Sequence, residues 1–228
     1  MSEDFKRQAA ERSVDFVESG MVVGLGSGST ARYALERIAQ RLAAGELKGV
    51  SGVPTSLQVE KEAGQFGIPL TTLEAHPQID LTIDGADEVD PDLNLIKGGG
   101  GALLREKIVA QVSQREIIVV DESKLSEKLG TRFPVPVEVL PFGWQVVANY
   151  LELLGASASL RRGANGRPLE TDQRNWILDA AFGPLEDPQP VAEQLEHRAG
   201  VVAHGLFLGL ATDVIVAGQG GLRHLRRP

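Results

Sequence analysis

Between Asp84 and Glu106 the chain concentrates groups that move protons and hold anions. Asp84 and Asp87 stand in DGADEVD, Lys97 opens a run of four glycines ending at Gly101, and Glu106 follows in ALLREKIVAQV. Carboxylates serve as general acids and bases on hydroxyls and on carbons beside a carbonyl. A lysine and backbone N–H groups serve a developing oxyanion. Two outlying motifs add anion donors. GLGSGST, from Gly24 to Thr30, carries Ser27, Gly28, Ser29 and Thr30, and DESKL carries Lys124. Hydroxyls, lysines and helix-start amides suit a phosphate monoester. The two sets together fit aldose–ketose isomerisation of a sugar phosphate.

Each feature has a plainer reading. GLGSGST could be a tight turn that binds nothing. Asp84 and Asp87 could cap a helix or close an Asx-turn. Glu106 could face solvent beside an arginine or lysine, and Lys124 could be a surface lysine. His76, in the loop AHPQ, reads as solvated. The motifs gain force from the elements that position them. Met21–Leu25, IDLTI from Ile79, Leu93–Ile96 and Glu116–Val120 are short apolar runs, each followed by a polar or glycine-rich loop. Helices are expected over 4–19, closed by Gly20, then in ARYALERIAQRLA, over 55–66 and in ALLREKIVAQV; Ile68–Thr71 reads as a further strand. Alternating strands and helices imply a parallel sheet. Such sheets bind ligands at the carboxyl ends of their strands, which would bring the four motifs to one edge. Gly85 lets the chain turn sharply there. Leu103, Val109 and Ala110 share a helix face with Glu106.

Two nucleotide-binding patterns are absent. No lysine stands where a phosphate-binding NTPase loop needs one. Ser29 replaces the last glycine of the dinucleotide fingerprint, and no carboxylate follows the next strand, LKGVSGVPTS. A nicotinamide cofactor is therefore not expected. The motifs hold neither histidine nor cysteine, which argues against a Ser-His-Asp hydrolase and against zinc.

The second half changes texture at Arg132. FPVPVEVLPFG is proline-rich and marks a boundary. A strand in VEVL, a helix over Trp144–Leu154, strands at Ala156–Arg161 and Asn175–Ala181, a helix over Pro188–Arg198 and a strand at Gly200–His204 follow. The order β-α-β-β-α-β is that of a ferredoxin-like module. Thr212–Ala217 would rejoin the first sheet, and the basic GLRHLRRP reads as a solvated tail. Residues 1–131 plus 205–228 would then form one domain and 132–204 an inserted lobe.

Across its 228 residues the chain is 42% hydrophobic and 24% charged, with net charge −8. The acidic balance disfavours nucleic acid, while a local lysine cluster can still hold a small anion. There is no cysteine, so no disulfide and no thiolate nucleophile. The N-terminus lacks a signal-type apolar core, and no apolar run reaches membrane-spanning length. A cytoplasmic protein without membrane contact is expected.

GLGSGST, TIDGADEVD, KGGGGALLREKIVA and DESKL, followed by FPVPVEVLP, closely resemble ribose-5-phosphate isomerase of the A type, and the resemblance covers essentially the whole chain. It implies an α/β fold, a Rossmann-like parallel-sheet domain with an inserted ferredoxin-like α+β lobe, as a homodimer or a dimer of dimers. It implies interconversion of D-ribose 5-phosphate and D-ribulose 5-phosphate through a cis-enediolate, with no metal or organic cofactor. Carried residue by residue, Glu106 is the base between C1 and C2, Asp84 assists ring opening, and Asp87 holds a sugar hydroxyl. Lys97 with Gly98, Gly99 and Gly100 stabilises the enediolate oxygen. Ser27, Gly28, Ser29, Thr30 and Lys124 bind the substrate, mainly its phosphate, and Gly85 and Ala86 line it. One departure is Gln173–Arg174, where family members often carry Asn-Gly. It bears on a hairpin of the lobe and on subunit contacts rather than on the chemistry. Two rivals fit less well. An amino-sugar-phosphate deacetylase or isomerase would bring a catalytic histidine, and a sugar-phosphate sensor would bring a DNA-binding helix pair; the single N-terminal helix here is acidic.

Overall fold

The computed structural model describes residues 2–227. In chain order the elements are α1 (Ser2–Ser13), β1 (Val22–Leu25), α2 (Ser29–Ala43), β2 (Ser51–Pro54), α3 (Leu57–Gln65), β3 (Leu81–Asp84), β4 (Glu88–Val89), β5 (Leu95–Ile96), α4 (Leu103–Gln111) and β6 (Glu116–Asp121). Then come β7 (Val135–Val139), α5 (Trp144–Leu153), β8 (Ser157–Leu160), β9 (Trp176–Ala181), α6 (Gln189–Glu196), β10 (Val201–His204), β11 (Leu206–Phe207), β12 (Asp213–Gly218) and β13 (Gly221–Arg226). They form two compact units.

The first unit comprises the chain up to Ala86, Arg105–Lys124 and the chain from Gly209 onward. Its sheet runs β13-β12-β6-β3-β1-β2, parallel except for β13. Every residue of β1, β3, β6 and β12 is buried, as parallel strands covered on both faces require. Ala31, Ala34, Leu35 and Ile38 recur at helical spacing on α2 and join Ala9, Ala10, Val23, Leu25 and Ile83 in the main core. Val109 of α4 packs with Val22, Val53 and Ile79 in a second cluster.

In the first unit three elements differ from expectation. Ile68–Thr71 is a single bridge, Leu70 to Gly52, because Pro69 has no N–H to extend a ladder and offers only its carbonyl, to Gly52 N at 2.8 Å. Helix α1 stops at Ser13 and gives way to a short 3-10 turn, Val14–Phe16. The C-terminal stretch is not a solvated tail through residue 226. It is β13, paired antiparallel to β12 across Gln219–Gly220. Side chains pin the pairing. Asp213 takes a bidentate grip from Arg115 (2.9 and 2.8 Å) and a bond from His224 Nε2 (2.6 Å).

The second unit comprises Asp87–Leu104 and Leu125–Leu208. Its antiparallel sheet runs β10-β7-β9-β8 and, with α5 and α6, has the expected ferredoxin-like order. Val135, Val137, Val139, Leu151, Leu178 and Leu195 fill its core. A small sheet, β11-β5-β4, belongs to the same unit. Residues 87–104, 125–131 and 205–208, which the expected boundaries would leave in the first domain, group here for a physical reason: β11 pairs with β5, and Gly205 N donates to Pro136 O at 2.7 Å. The buried Glu88 carboxylate accepts N–H bonds from Gly130 (2.9 Å), Arg132 (3.1 Å) and Phe133 (3.3 Å), and Val89 bridges Leu125. The strand expected over Leu93–Ile96 shortens to β5 because Leu93 takes a left-handed φ of 59° in a turn that Asp90 closes onto Asn94 N at 2.8 Å.

Candidate active site

In the first unit, chain order reverses between β3 and β1, since β2 lies on one side of β1 and β3 on the other. Ligands of doubly wound sheets sit at such a switch point. Gly26 N donates to Ile83 O at 2.9 Å, and Ser27 N donates to Asp84 Oδ1 at 3.0 Å. Gly85 N closes on the same oxygen at 2.7 Å. A Cβ on Gly26 would lie 2.4 Å from both Ile83 O and Asp84 Oδ1, so this junction requires glycine. Asp84 is 1% exposed at the carboxyl end of β3. Ala86 and Gly85, half-buried, follow it.

Gly28, at φ 100°, caps α2, which leaves Ser29 and Thr30 in its first turn with free-standing positive dipole. Ser27 Oγ lies 2.8 Å from Thr55 Oγ1 and 2.9 Å from Ser56 Oγ. Lys6 Nζ donates to Ser29 Oγ at 3.2 Å. Lys124 ends a 3-10 turn after β6, half-buried. Glu106 stands in the first turn of α4, 6% exposed, on the face that also buries Leu103, Val109 and Ala110. The solvent-facing alternative for Glu106 is thereby removed.

The second unit holds Asp87, Lys97 and the glycines. Asp87 Oδ2 accepts from Gly99 N at 2.7 Å, and Asp87 N donates to Ile96 O at 2.8 Å. Gly101 N closes a turn on Gly98 O at 3.0 Å. Lys97 is 2% exposed, with Nζ 5.6 Å from the Phe207 ring centroid and its backbone N bonded to Gly205 O. An ammonium so withdrawn from water is a strong electrostatic group. Gly99 and Gly100 are exposed and Gly98 is buried.

Within each unit, then, the structure joins Ser27 to Asp84 and Asp87 to Gly99. Sequence reasoning missed Lys6, Thr55 and Ser56. Lys6 lies on an amphipathic helix with no motif, so nothing in the chain marked it. Ser56 carries a weak signal as the cap of α3, accepting from Val59 N at 3.1 Å. Among the described residues no cluster of three or more His, Cys, Asp or Glu is placed to hold a metal ion, and no helix is long and apolar enough to cross a membrane.

The sequence profile of the ribose 5-phosphate isomerase A (phosphoriboisomerase A) family matches residues 51–221. A ribose-5-phosphate isomerase A of Desulfatibacillum aliphaticivorans is 56% identical over 221 residues, covering 97% of this chain and 96% of its own. One from Chloroflexus aurantiacus is 56% identical over 224 residues, covering 98% and 94%. Among solved structures, the ribose 5-phosphate isomerase of Plasmodium falciparum has a TM-score of 0.95 at 43% identity, covering 98% of each chain. A D-ribose-5-phosphate isomerase in complex with phospho-erythronic acid has a TM-score of 0.98 at 41% identity, covering 100% of each chain.

Proposed function

The chain belongs to the ribose 5-phosphate isomerase A family and is an isomerase that interconverts ribose 5-phosphate and ribulose 5-phosphate in the pentose phosphate pathway; from that premise we propose how its residues divide the work. Glu106 is the general base. It takes the C2 proton of the open-chain aldose, leaving a cis-enediolate, and returns that proton to C1. Asp84 assists ring opening and moves protons at the sugar hydroxyls. Asp87 holds a hydroxyl. Lys97 and the amides of Gly98, Gly99 and Gly100 stabilise the enediolate oxygen. Ser27, Gly28, Ser29, Thr30 and Lys124 bind the substrate, chiefly its phosphate, with Lys6 as an added cation, and Gly85 and Ala86 line the sugar. The reaction is redox-neutral and the scheme invokes no cofactor or metal.

The observation that carries this reading is the withdrawal from water of Asp84, Lys97 and Glu106, which are 1%, 2% and 6% exposed. Charged side chains are rarely so buried without a task or a partner. The related structure's ligand supplies a probe. A phosphorylated sugar acid carries a carboxylate where an enediolate carries its two oxygens.

The decisive experiment measures ribulose 5-phosphate formation by the protein and by Glu106→Gln. Loss of a general base costs roughly 10²–10⁴ in kcat. Phospho-erythronic acid should still bind the variant. Near-normal turnover in Glu106→Gln overturns the assignment of the base.

We further place the protein in the cytoplasm as a homodimer or a dimer of dimers. Absence of cysteine suits a reducing compartment. Phe142 and, on α5, Val146 and Leu153 expose an apolar face opposite the buried Val147, Ala148 and Leu151, as a subunit contact would. Sedimentation equilibrium decides it: a single species at 24.4 kDa removes the oligomer.

A further inference from the structure

Arg161 follows β8, and its guanidinium makes four hydrogen bonds inside the second unit. Nε donates to Asp179 Oδ2 at 2.9 Å, and Nη2 donates to Asp179 Oδ1. Nη1 donates to Gly98 O at 2.8 Å and to Gly99 O at 3.0 Å. The Arg161 and Asp179 side chains are 15% and 20% exposed, so water competes little. A forked grip by a carboxylate on β9 fixes the plane of the guanidinium. That fixed group holds two consecutive carbonyls of a glycine run, which has the least conformational preference of any sequence.

A trans peptide is planar, with C=O and N–H pointing opposite ways. The peptide joining Gly98 and Gly99 displays this: its carbonyl meets Arg161 and its N–H meets Asp87 Oδ2 at 2.7 Å. The peptide joining Gly99 and Gly100 has its carbonyl on the same guanidinium, so the Gly100 N–H points away from it. The Gly101 N–H is spent on Gly98 O at 3.0 Å. Gly100 itself is exposed. Arg161 therefore turns one accessible amide outward by holding the carbonyl on the other end of its peptide.

We propose that Arg161, locked by Asp179, is a positioning residue for the isomerisation: it aims the Gly100 N–H as an oxyanion donor to the enediolate. This rests on the reading of the glycine run as the enediolate's oxyanion hole and adds to it a residue on the far side of the peptide plane. A lysine keeps the charge but cannot grip a carboxylate through two nitrogens and two carbonyls through a third.

The test uses Arg161→Lys and Asp179→Asn in the whole protein, with Lys97→Met alongside. Loss of one oxyanion donor costs roughly 10²–10³ in kcat, and misaiming one a fraction of that, on the order of 10–100-fold. The expected result is that fall in kcat with KM nearly unchanged. The inhibition constant of phospho-erythronic acid rises by a comparable factor, while affinity for inorganic phosphate and the unfolding midpoint stay near wild type. Methylguanidinium added to Arg161→Ala should restore part of the lost kcat. If Arg161→Lys keeps kcat within twofold, or if kcat, phosphate affinity and unfolding midpoint all fall together, the inference is overturned. Lys97→Met separates the two layers. If it leaves phospho-erythronic acid affinity intact, the oxyanion reading itself fails; if it weakens that affinity and Arg161→Lys does not, only the role of Arg161 fails.

Discussion

Ser27 and Gly99 each give a backbone N–H to an aspartate, but the two regions hold that bond by different means. In the first unit, Ser27 follows β1 and Asp84 ends β3, and Leu25 and Ile83 are direct ladder partners. The hydrogen-bonded sheet sets the geometry. In the second unit, β4 and β5 have two residues each and the glycines have no regular structure. There Asp87 holds one side of the run and Arg161, 63 positions from Gly98, holds the other. A ladder has no slack, because its rungs are main chain held in register along both strands. A side-chain clamp can yield locally and depends on the identity of one residue.

Gly26→Ala should separate the two most sharply. Its Cβ would meet Ile83 O and Asp84 Cα, main chain that the ladder cannot release, as well as the Asp84 carboxylate, at 2.4–2.5 Å. Overpacking of this kind costs about 3 kcal/mol, read by urea unfolding, with turnover lost. A stable, active variant would show that the ladder gives. Asp213→Asn asks whether the first unit also leans on side chains. Burial alone would raise the Asp213 carboxyl, but bonds from Arg115, Thr212 and His224 outweigh it and hold it well below the usual range. A depressed carboxyl contributes stability above its unfolded pKa and loses it as pH falls. The variant should therefore cost about 2 kcal/mol at neutral pH. Its deficit should shrink below about pH 4, where the wild-type site begins to lose its own advantage. A deficit independent of pH would assign the effect to packing.

Gly99→Ala tests the clamp. Its Cβ would meet only the Asp87 carboxylate, at 2.6–2.9 Å, and a carboxylate can swing aside. Stability should change by less than about 1 kcal/mol, while kcat drops. A stability loss as large as that of Gly26→Ala would erase the distinction. Smallest is Arg174→Gly. Arg174 takes φ 62° in the hairpin that Thr171 and Asn175 anchor on buried Glu138. Relief of left-handed strain, less the entropy glycine costs, should raise stability by about 0.5–1 kcal/mol, with kcat unchanged. A change in kcat would mean the hairpin reaches the chemistry.

The same contrast explains what was legible in sequence. EIIVVD and the other buried runs announced a parallel sheet, and motifs at their carboxyl ends followed from topology. The ferredoxin-like order was readable because each helix and strand of the lobe is long enough to carry its own periodicity. β4 and β11, two residues each, carry none. Lys6 and Arg161 were silent because their work is defined by what they touch, Ser29 and two glycine carbonyls, and neither sits in a motif. β13 was misread because arginines and a histidine occupy positions where an apolar alternation would have betrayed a strand.

Those arginines have a use of their own. Without β13, the sheet would end on β12, six buried residues reading DVIVAG, with its N–H and C=O groups unpaired along one side. Such an edge is a template for another chain's strand. β13 covers it and presents Arg223 and Arg226 at the new border, both exposed. A second molecule approaching edge-on meets like charge instead of a bare ladder. The last strand is thus the molecule's guard against growing its sheet into a neighbour's, and shortening the chain at Gly220 should convert a dispersed protein into one that self-associates through β12.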